Sequence, residues 1–157
     1  MAAEYSSNAL QTVAAGGSII FEQSPVPCNK GYIYHRDETG LFRLASPSAL
    51  GCGGCRCCGN MPTANYEVAF HANIQIPTGG TVGPISLAIF VDGDEDPSST
   101  MTVTPAAVEE PFNVGADIIV AVPSICRCSS VSVRNVGTEP VEVLNANIVF
   151  DFTGVRR

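Results

Sequence analysis

Four cysteines, Cys52, Cys55, Cys57 and Cys58, fall within seven positions of the run "GCGGCRCCGN" at 51–60. Cys126 and Cys128 form a second group, "CRC", and Cys28 stands by itself in "SPVPCNKG". Thiols at these spacings support three chemistries. The Cys-x-x-Cys pair Cys52 and Cys55 supplies two of the four ligands that tetrahedral zinc needs, but a second such pair is missing and "CRC" does not replace it in the usual way. In a strand, Cys126 and Cys128 point to the same face and could approach one partner surface together, which suits a disulfide or a covalent seam between copies. The third reading is unpaired thiols. Seven cysteines is an odd count, so in an oxidising place at least one is free or bonds to another chain, and Cys28 is a candidate.

Asp92, Asp94 and Asp96 alternate in "VDGDEDPSS" like the front of a calcium loop. Pro97 stands where the turn glycine of an EF-hand belongs, and Val103 where its bidentate glutamate belongs. The segment therefore reads first as a solvated acidic turn and second as a loose calcium site. His35 and His71 are far apart in the sequence, and no nucleophile elbow, HExxH helix or phosphate loop accompanies them. The expectation is a protein without catalytic activity, its histidines on polar or interface surface. Tyr32 and Tyr34, with Phe42, could form a stacking platform for a ligand such as a glycan, although aromatics on short strands more often pack inside. No cofactor is expected beyond a structural zinc or calcium ion.

The elements that must position these residues are strands. No stretch keeps apolar residues at helical spacing for three turns, and 11 prolines and 15 glycines punctuate the chain. In "NYEVAFHANIQIP", Tyr66, Val68, Phe70, Ala72, Ile74 and Ile76 share one face, and Asn65, Glu67, His71, Asn73 and Gln75 the other. That is period-two alternation over a long strand. In "GPISLAIFVDG" both faces are largely apolar, which predicts burial on both sides. Further strands are predicted over 17–23, 31–36, 41–45, 100–104, 112–122, 129–136 and 141–152, with a hairpin turning at 137–140. About nine or ten strands with regular turns predict an all-β jelly-roll sandwich as a single domain over 16–157. Residues 1–15, small and polar with Leu10 and Val13 as anchors, read as an N-terminal arm, either frayed or paired with a neighbouring subunit.

Hydrophobic residues make up 45% of the 157 and charged residues only 15%, against about 25% charged in an average soluble domain. Interface cores are depleted in charge, so the shortfall points to surface covered by other copies. A formal charge of −7 argues against nucleic acid and against an anionic membrane as partners. No apolar run approaches the ~20 residues of a spanning helix. The start "MAAEYSSNAL" lacks the basic and apolar regions of a secretory signal. Many cysteines without such a signal suggest a protein that assembles inside a cell and oxidises after lysis, on the outside of a particle such as a spore or virion.

Two segments, "YEVAFHANIQIPTGGTVGPISLAIFVDGD" at 66–94 and "VEVLNANIVFDFTGV" at 141–155, carry a family resemblance. A long amphipathic strand leads to a buried strand with a short Gly/Asp turn, and a final hydrophobic strand follows. This pattern resembles the C1q/TNF-like jelly roll, including the C-terminal domains of bacterial collagen-like spore-surface proteins. The resemblance spans about 17–155, and the cysteine-rich stretch lies outside it. It implies a compact homotrimer. Together these readings predict a structural subunit of a homo-oligomeric surface assembly, trimer or filament, whose partner is itself. Alternative readings are a trimeric module binding a carbohydrate or host receptor, and a zinc-stabilised cytosolic domain.

Overall fold

The computed structural model describes residues 2–28, 32–36, 38–46, 63–123 and 128–156. Among them, twelve strands follow one another: β1 (Ala2–Ser7), β2 (Gln11–Val13), β3 (Gln23–Val26), β4 (Ile33–His35), β5 (Phe42–Ala45), β6 (Thr63–Gln75), β7 (Ile85–Val91), β8 (Asp94–Glu95), β9 (Met101–Val103), β10 (Phe112–Pro123), β11 (Cys128–Asn135) and β12 (Val141–Arg156). Sheet A runs β10-β6-β12-β1-β3, with β2 also on β12; sheet B runs β4-β5-β11-β7-β8, with β9 also on β7. The pairings are antiparallel, and the two sheets face each other as a jelly-roll sandwich.

The long strand β6 behaves as its alternation dictates. Ala64, Tyr66, Val68, Phe70, Ala72 and Ile74 are buried between the sheets, and Glu67 and His71 are exposed on the outer face. Strand β12 needs a correction of phase to do the same. Val143 faces the core, and so does Ala146, three positions on. A bulge between Leu144 and Asn147 absorbs the extra residue, with Asn145 at φ 53°, a conformation asparagine tolerates better than most residues. Strand β7 is less enclosed than its composition suggests. Ile85, Leu87 and Ile89 are buried, while Phe90 on the outer face is only half-covered, by the guanidinium of Arg134 at 4.6 Å from the ring centroid.

Three expectations give way. Residues 2–13 are part of the sandwich and form no arm: β1 pairs with β12 on one side and β3 on the other, and β2 pairs with β12. Tyr5 is buried, 4.9 Å from the Phe42 ring and 6.2 Å from that of Phe150. The stretch 17–23 is mostly a crossover. Ile19 donates its N–H to Val133 of sheet B, and Glu22 donates to Ser6 of sheet A, so the chain changes sheets there and Ile19 and Phe21 plug the gap. The turn at 137–140 closes no hairpin either, because β11 and β12 belong to different sheets. Asn135 holds this corner: its side-chain amide donates to the carbonyls of Val13 and Glu139 and its Oδ1 accepts from Gly137 N–H.

A strand inside a sheet and a frayed arm respond differently to truncation. Tyr5→Ala should lower the unfolding free energy by about 3 kcal/mol, as for a large aromatic lost from a core, in urea titrations followed by far-UV circular dichroism. A loss below ~0.5 kcal/mol, the usual range for surface positions, would remove β1 from the core.

Candidate functional site

One end of the sandwich gathers the thiol chemistry. Tyr66 of β6 is fully buried and reaches across to sheet B, where its hydroxyl donates to the carbonyl of Ala45 at the end of β5. Ala45 donates its own N–H to Tyr32 and stands directly opposite Cys128, the first residue of β11. The Tyr66 ring lies 5.5 Å from Phe152, and Phe152 lies 6.4 Å from Tyr32. Cys28, half-buried, packs against the core after β3, and Cys128 is exposed. Burial pushes the Tyr66 phenol well above the ordinary tyrosine range, and the neighbouring groups of Cys28, Tyr32 and Cys128 push it further, since each would carry like charge.

Cys52, Cys55, Cys57, Cys58 and Cys126 lie outside the described residues. The residues that flank them do not. The segment with the first four leaves after Ser46, next to Ala45, and returns at Thr63; the segment with Cys126 leaves after Pro123, the partner of Thr63, and returns at Cys128, the partner of Ala45. Both segments therefore start and finish at the end where Cys28 and Cys128 sit. Sequence spacing alone could not bring Cys28 to the other groups, because it sits about a hundred residues from Cys128.

The acidic run is a turn. Asp92 and Gly93 have φ 53° and 86° and form the two-residue connection of the β7–β8 hairpin, whose flanking residues Val91 and Asp94 pair. Positive φ at both positions is what Asp-Gly supplies best. Asp92 accepts from Ser130 N–H, and Asp96 caps the short 3-10 turn at Pro97–Ser99 by accepting from Ser98. Asp94 is exposed. Among the described residues no three His, Cys, Asp or Glu side chains converge on a common point.

The histidines and aromatics also part company. His35 is not a surface residue of the kind expected. Its ring stacks on Phe42 at 4.4 Å and its Nε2 donates to the Thr39 carbonyl at 2.9 Å, leaving Nδ1 buried without a hydrogen-bond partner among the described residues. His71 is exposed on the outer face of sheet A, opposite Gly115 and Asn147. Phe42 is fully buried, so the three aromatics form no shared platform. Tyr32 turns toward Phe152, whereas Tyr34 of β4 points outward and is 60% exposed. It stands opposite Arg43 of β5, on a groove of about 350 Å³ that Arg36, Thr39 and Leu41 also line.

Sequence reading missed Arg43 and Leu41, and it missed Ile119, the most exposed large apolar side chain among the described residues at 70%. The signal for Ile119 was present in "DIIVAV": two adjacent isoleucines in a strand must point to opposite faces.

No family model matches the chain, and no curated protein sequence matches it significantly. Its fold is that of known structures. The Eiger TNF of S. frugiperda superposes with a TM-score of 0.68 at 11% identity, covering 100% of this chain and 94% of that one. A family 35 carbohydrate binding module from Clostridium thermocellum aligns at a TM-score of 0.35 and 15% identity over 92% and 90% of the two chains. At 11% identity the likeness to Eiger is one of fold, and the chain is a TNF-like jelly roll in that sense.

The raised Tyr66 pKa makes a signed prediction. A group whose folded-state pKa exceeds its unfolded value of about 10 contributes its full stability below that pH, and the contribution is lost as pH rises above it. Tyr66→Phe should cost about 1 kcal/mol near neutrality through the lost hydrogen bond. That cost should shrink above pH ~10, measured by urea denaturation of both proteins across the alkaline range. A cost that stays level with pH would place the phenol in water.

Proposed function

We infer that this chain is a non-catalytic structural subunit that assembles with copies of itself, as a trimer or a filament, on the outside of a particle such as a spore or virion. One observation carries the reading: among the described residues, β10 is a long sheet edge that no further strand covers. Exposed edge strands invite pairing, and soluble proteins disarm them with short strands, proline or charge. Strand β3 is four residues long and contains Pro25, which has no N–H to offer. Strand β4 has three residues. Strand β8 consists of Asp94 and Glu95, and β9 has three residues. Strand β10 has twelve residues, "FNVGADIIVAVP", with Asp117 as its only charge, and it pairs with β6 on one side only.

The outer face beside β10 is suited to close approach. Ala69, Gly115 and Ala121 are small, Asn65, Asn73 and Asn113 are neutral, and Ile119 projects beside the exposed carboxylates of Glu67 and Asp117. Burying such a side chain is worth about 1.5–3 kcal/mol, and charged groups around a buried apolar contact fit the polar rim of an interface. The jelly-roll resemblance favours three copies over two. The thiols of Cys28 and Cys128, with those of the segments that meet at the same end, supply a lock for the assembled state, either covalent or through a structural zinc ion.

Sedimentation velocity tests the reading. The wild type should sediment as a multiple of its 16.4 kDa protomer, and Ile119→Lys should shift the population to the protomer with its β-sheet circular dichroism unchanged. A wild-type protomer that persists at every concentration would overturn self-assembly. Electrophoresis with and without reductant, on the same samples, reads the covalent form of the lock.

A further inference from the structure

We propose that the groove between Tyr34 and Arg43, on the outer edge of sheet B, binds an acidic saccharide, a sugar ring bearing a carboxylate or sulfate. This goes beyond self-assembly, which is argued from the other sheet. The chain carries −7 overall, yet two guanidinium groups, Arg36 and Arg43, line one groove. Both are exposed, and neither stands in an ion pair among the described residues. Arg134, by contrast, is engaged: it lies over Phe90 and its Nε donates to Ser132 Oγ. Two guanidinium groups on one groove repel each other, and an oxyanion between them removes that repulsion while accepting planar, paired hydrogen bonds.

The groove is also built to stay open. Arg36 and Thr39 are tied by a turn in which both the N–H and the hydroxyl of Thr39 donate to the Arg36 carbonyl, at 3.2 and 2.7 Å. His35 Nε2 fixes the Thr39 carbonyl from beneath, and the His35 ring is itself stacked on the buried Phe42. Arg43 is held in place because Phe42 and Leu44 on either side of it are fully buried. Prearranged groups of this sort lower the ordering cost of binding. The exposed carboxylate of Glu38 lies on the same turn and sets a limit on how much anionic charge the groove attracts.

The shape favours a sugar over an acidic peptide. A peptide captured at a sheet edge needs a run of backbone partners, and β4 offers three residues before the turn at Arg36. A volume of about 350 Å³ lies at the low end of small-ligand sites. The exposed flat face of Tyr34 and the side chain of Leu41 give the C–H face of a ring an apolar surface, while the two arginines hold its acid group.

Calorimetric titration of the full chain separates the cases. The probes are a uronate-containing oligosaccharide, a neutral oligosaccharide of the same length and an oligoglutamate peptide. Only the uronate should bind with a Kd below about 1 mM. Arg43→Gln and Arg36→Gln should each weaken it about tenfold, the effect of losing a charge-assisted hydrogen bond, and Tyr34→Ala should weaken it further; all three side chains are exposed, and circular dichroism checks that the variants fold. Absence of uronate binding, equal binding of the neutral sugar or of the peptide, or arginine variants that bind like the wild type would each overturn the proposal.

Discussion

Sheet A is built from the two ends of the chain, and everything else in the molecule rests on that closure. Strand β12 lies between β6 and β1, with Tyr5 opposite Ile148. Only when β1 and β12 are together do Tyr5 and Phe150 form the surface against which Phe42 of sheet B packs, at 4.9 and 4.8 Å. Phe21, delivered by the crossover, closes the cluster at 5.3 Å from Phe42. Pairings this remote in sequence form late and slowly, because loop closure must precede the gain from contact. The two sheets are thus joined by aromatic contacts whose members come from β1, β4, β5, β12 and the crossover.

Because strands alternate, burying this cluster also decides what faces water. Phe42 and Leu44 point inward, so Arg43 must point outward beside Tyr34. On β10, Ile118 and Val120 point inward, so Ile119 must point outward. A one-residue slip of β5 or β10 would bury the arginine or expose the core, and the core therefore holds both proposed surfaces in register. The bulge at Asn145 serves the same end in β12, without which either Val143 or Ile148 would face solvent.

The sequence carried the parts of this architecture that are local. Strand β6 was legible because its alternation is nearly unbroken over its whole length, and the β7–β8 turn because Asp-Gly favours one geometry. Strand β1 was not legible. "AAEYSS" has little strand propensity beyond Tyr5, and it becomes a strand by pairing with β12, a partner almost the whole chain away. The corner at 137–140 shows a different loss. Gly, Thr, Glu and Pro announce a turn, but which sheet the next strand joins is decided by the hydrogen bonds of Asn135 to Val13 and Glu139. For the candidate site, cysteine type and spacing were plain. The convergence of Cys28 and Cys128 on Tyr66 is a tertiary fact with no local trace. Tyr32 and Tyr34 looked equivalent two positions apart, but Tyr32 precedes β4 and its ring turns toward Phe152 of the opposite sheet.

The geometry of β10 also bears on how copies would meet in the proposed assembly. A second strand laid along its free edge would extend sheet A in its own plane and satisfy the open backbone groups. Such a ladder would leave Ile119 uncovered, because its side chain stands off the sheet face, perpendicular to the hydrogen-bonding direction. Covering Ile119 requires a neighbour packed on the face itself. On that face Ile119 is followed across the sheet by Glu67 and then Asp151, directly opposed carboxylates. Like charges side by side are costly to desolvate, so in the proposed assembly the apolar contact is centred on Ile119, with Asp117, Glu67 and Asp151 left at its wet rim. A contact that takes in one edge and the adjoining strip of face is lopsided. It is more easily completed by a different surface of the next copy than by the same one turned about a two-fold axis. Repetition of such a head-to-tail contact closes into a ring or runs on as a filament, and in either form of the proposed assembly the arginine groove on the far sheet would stay free.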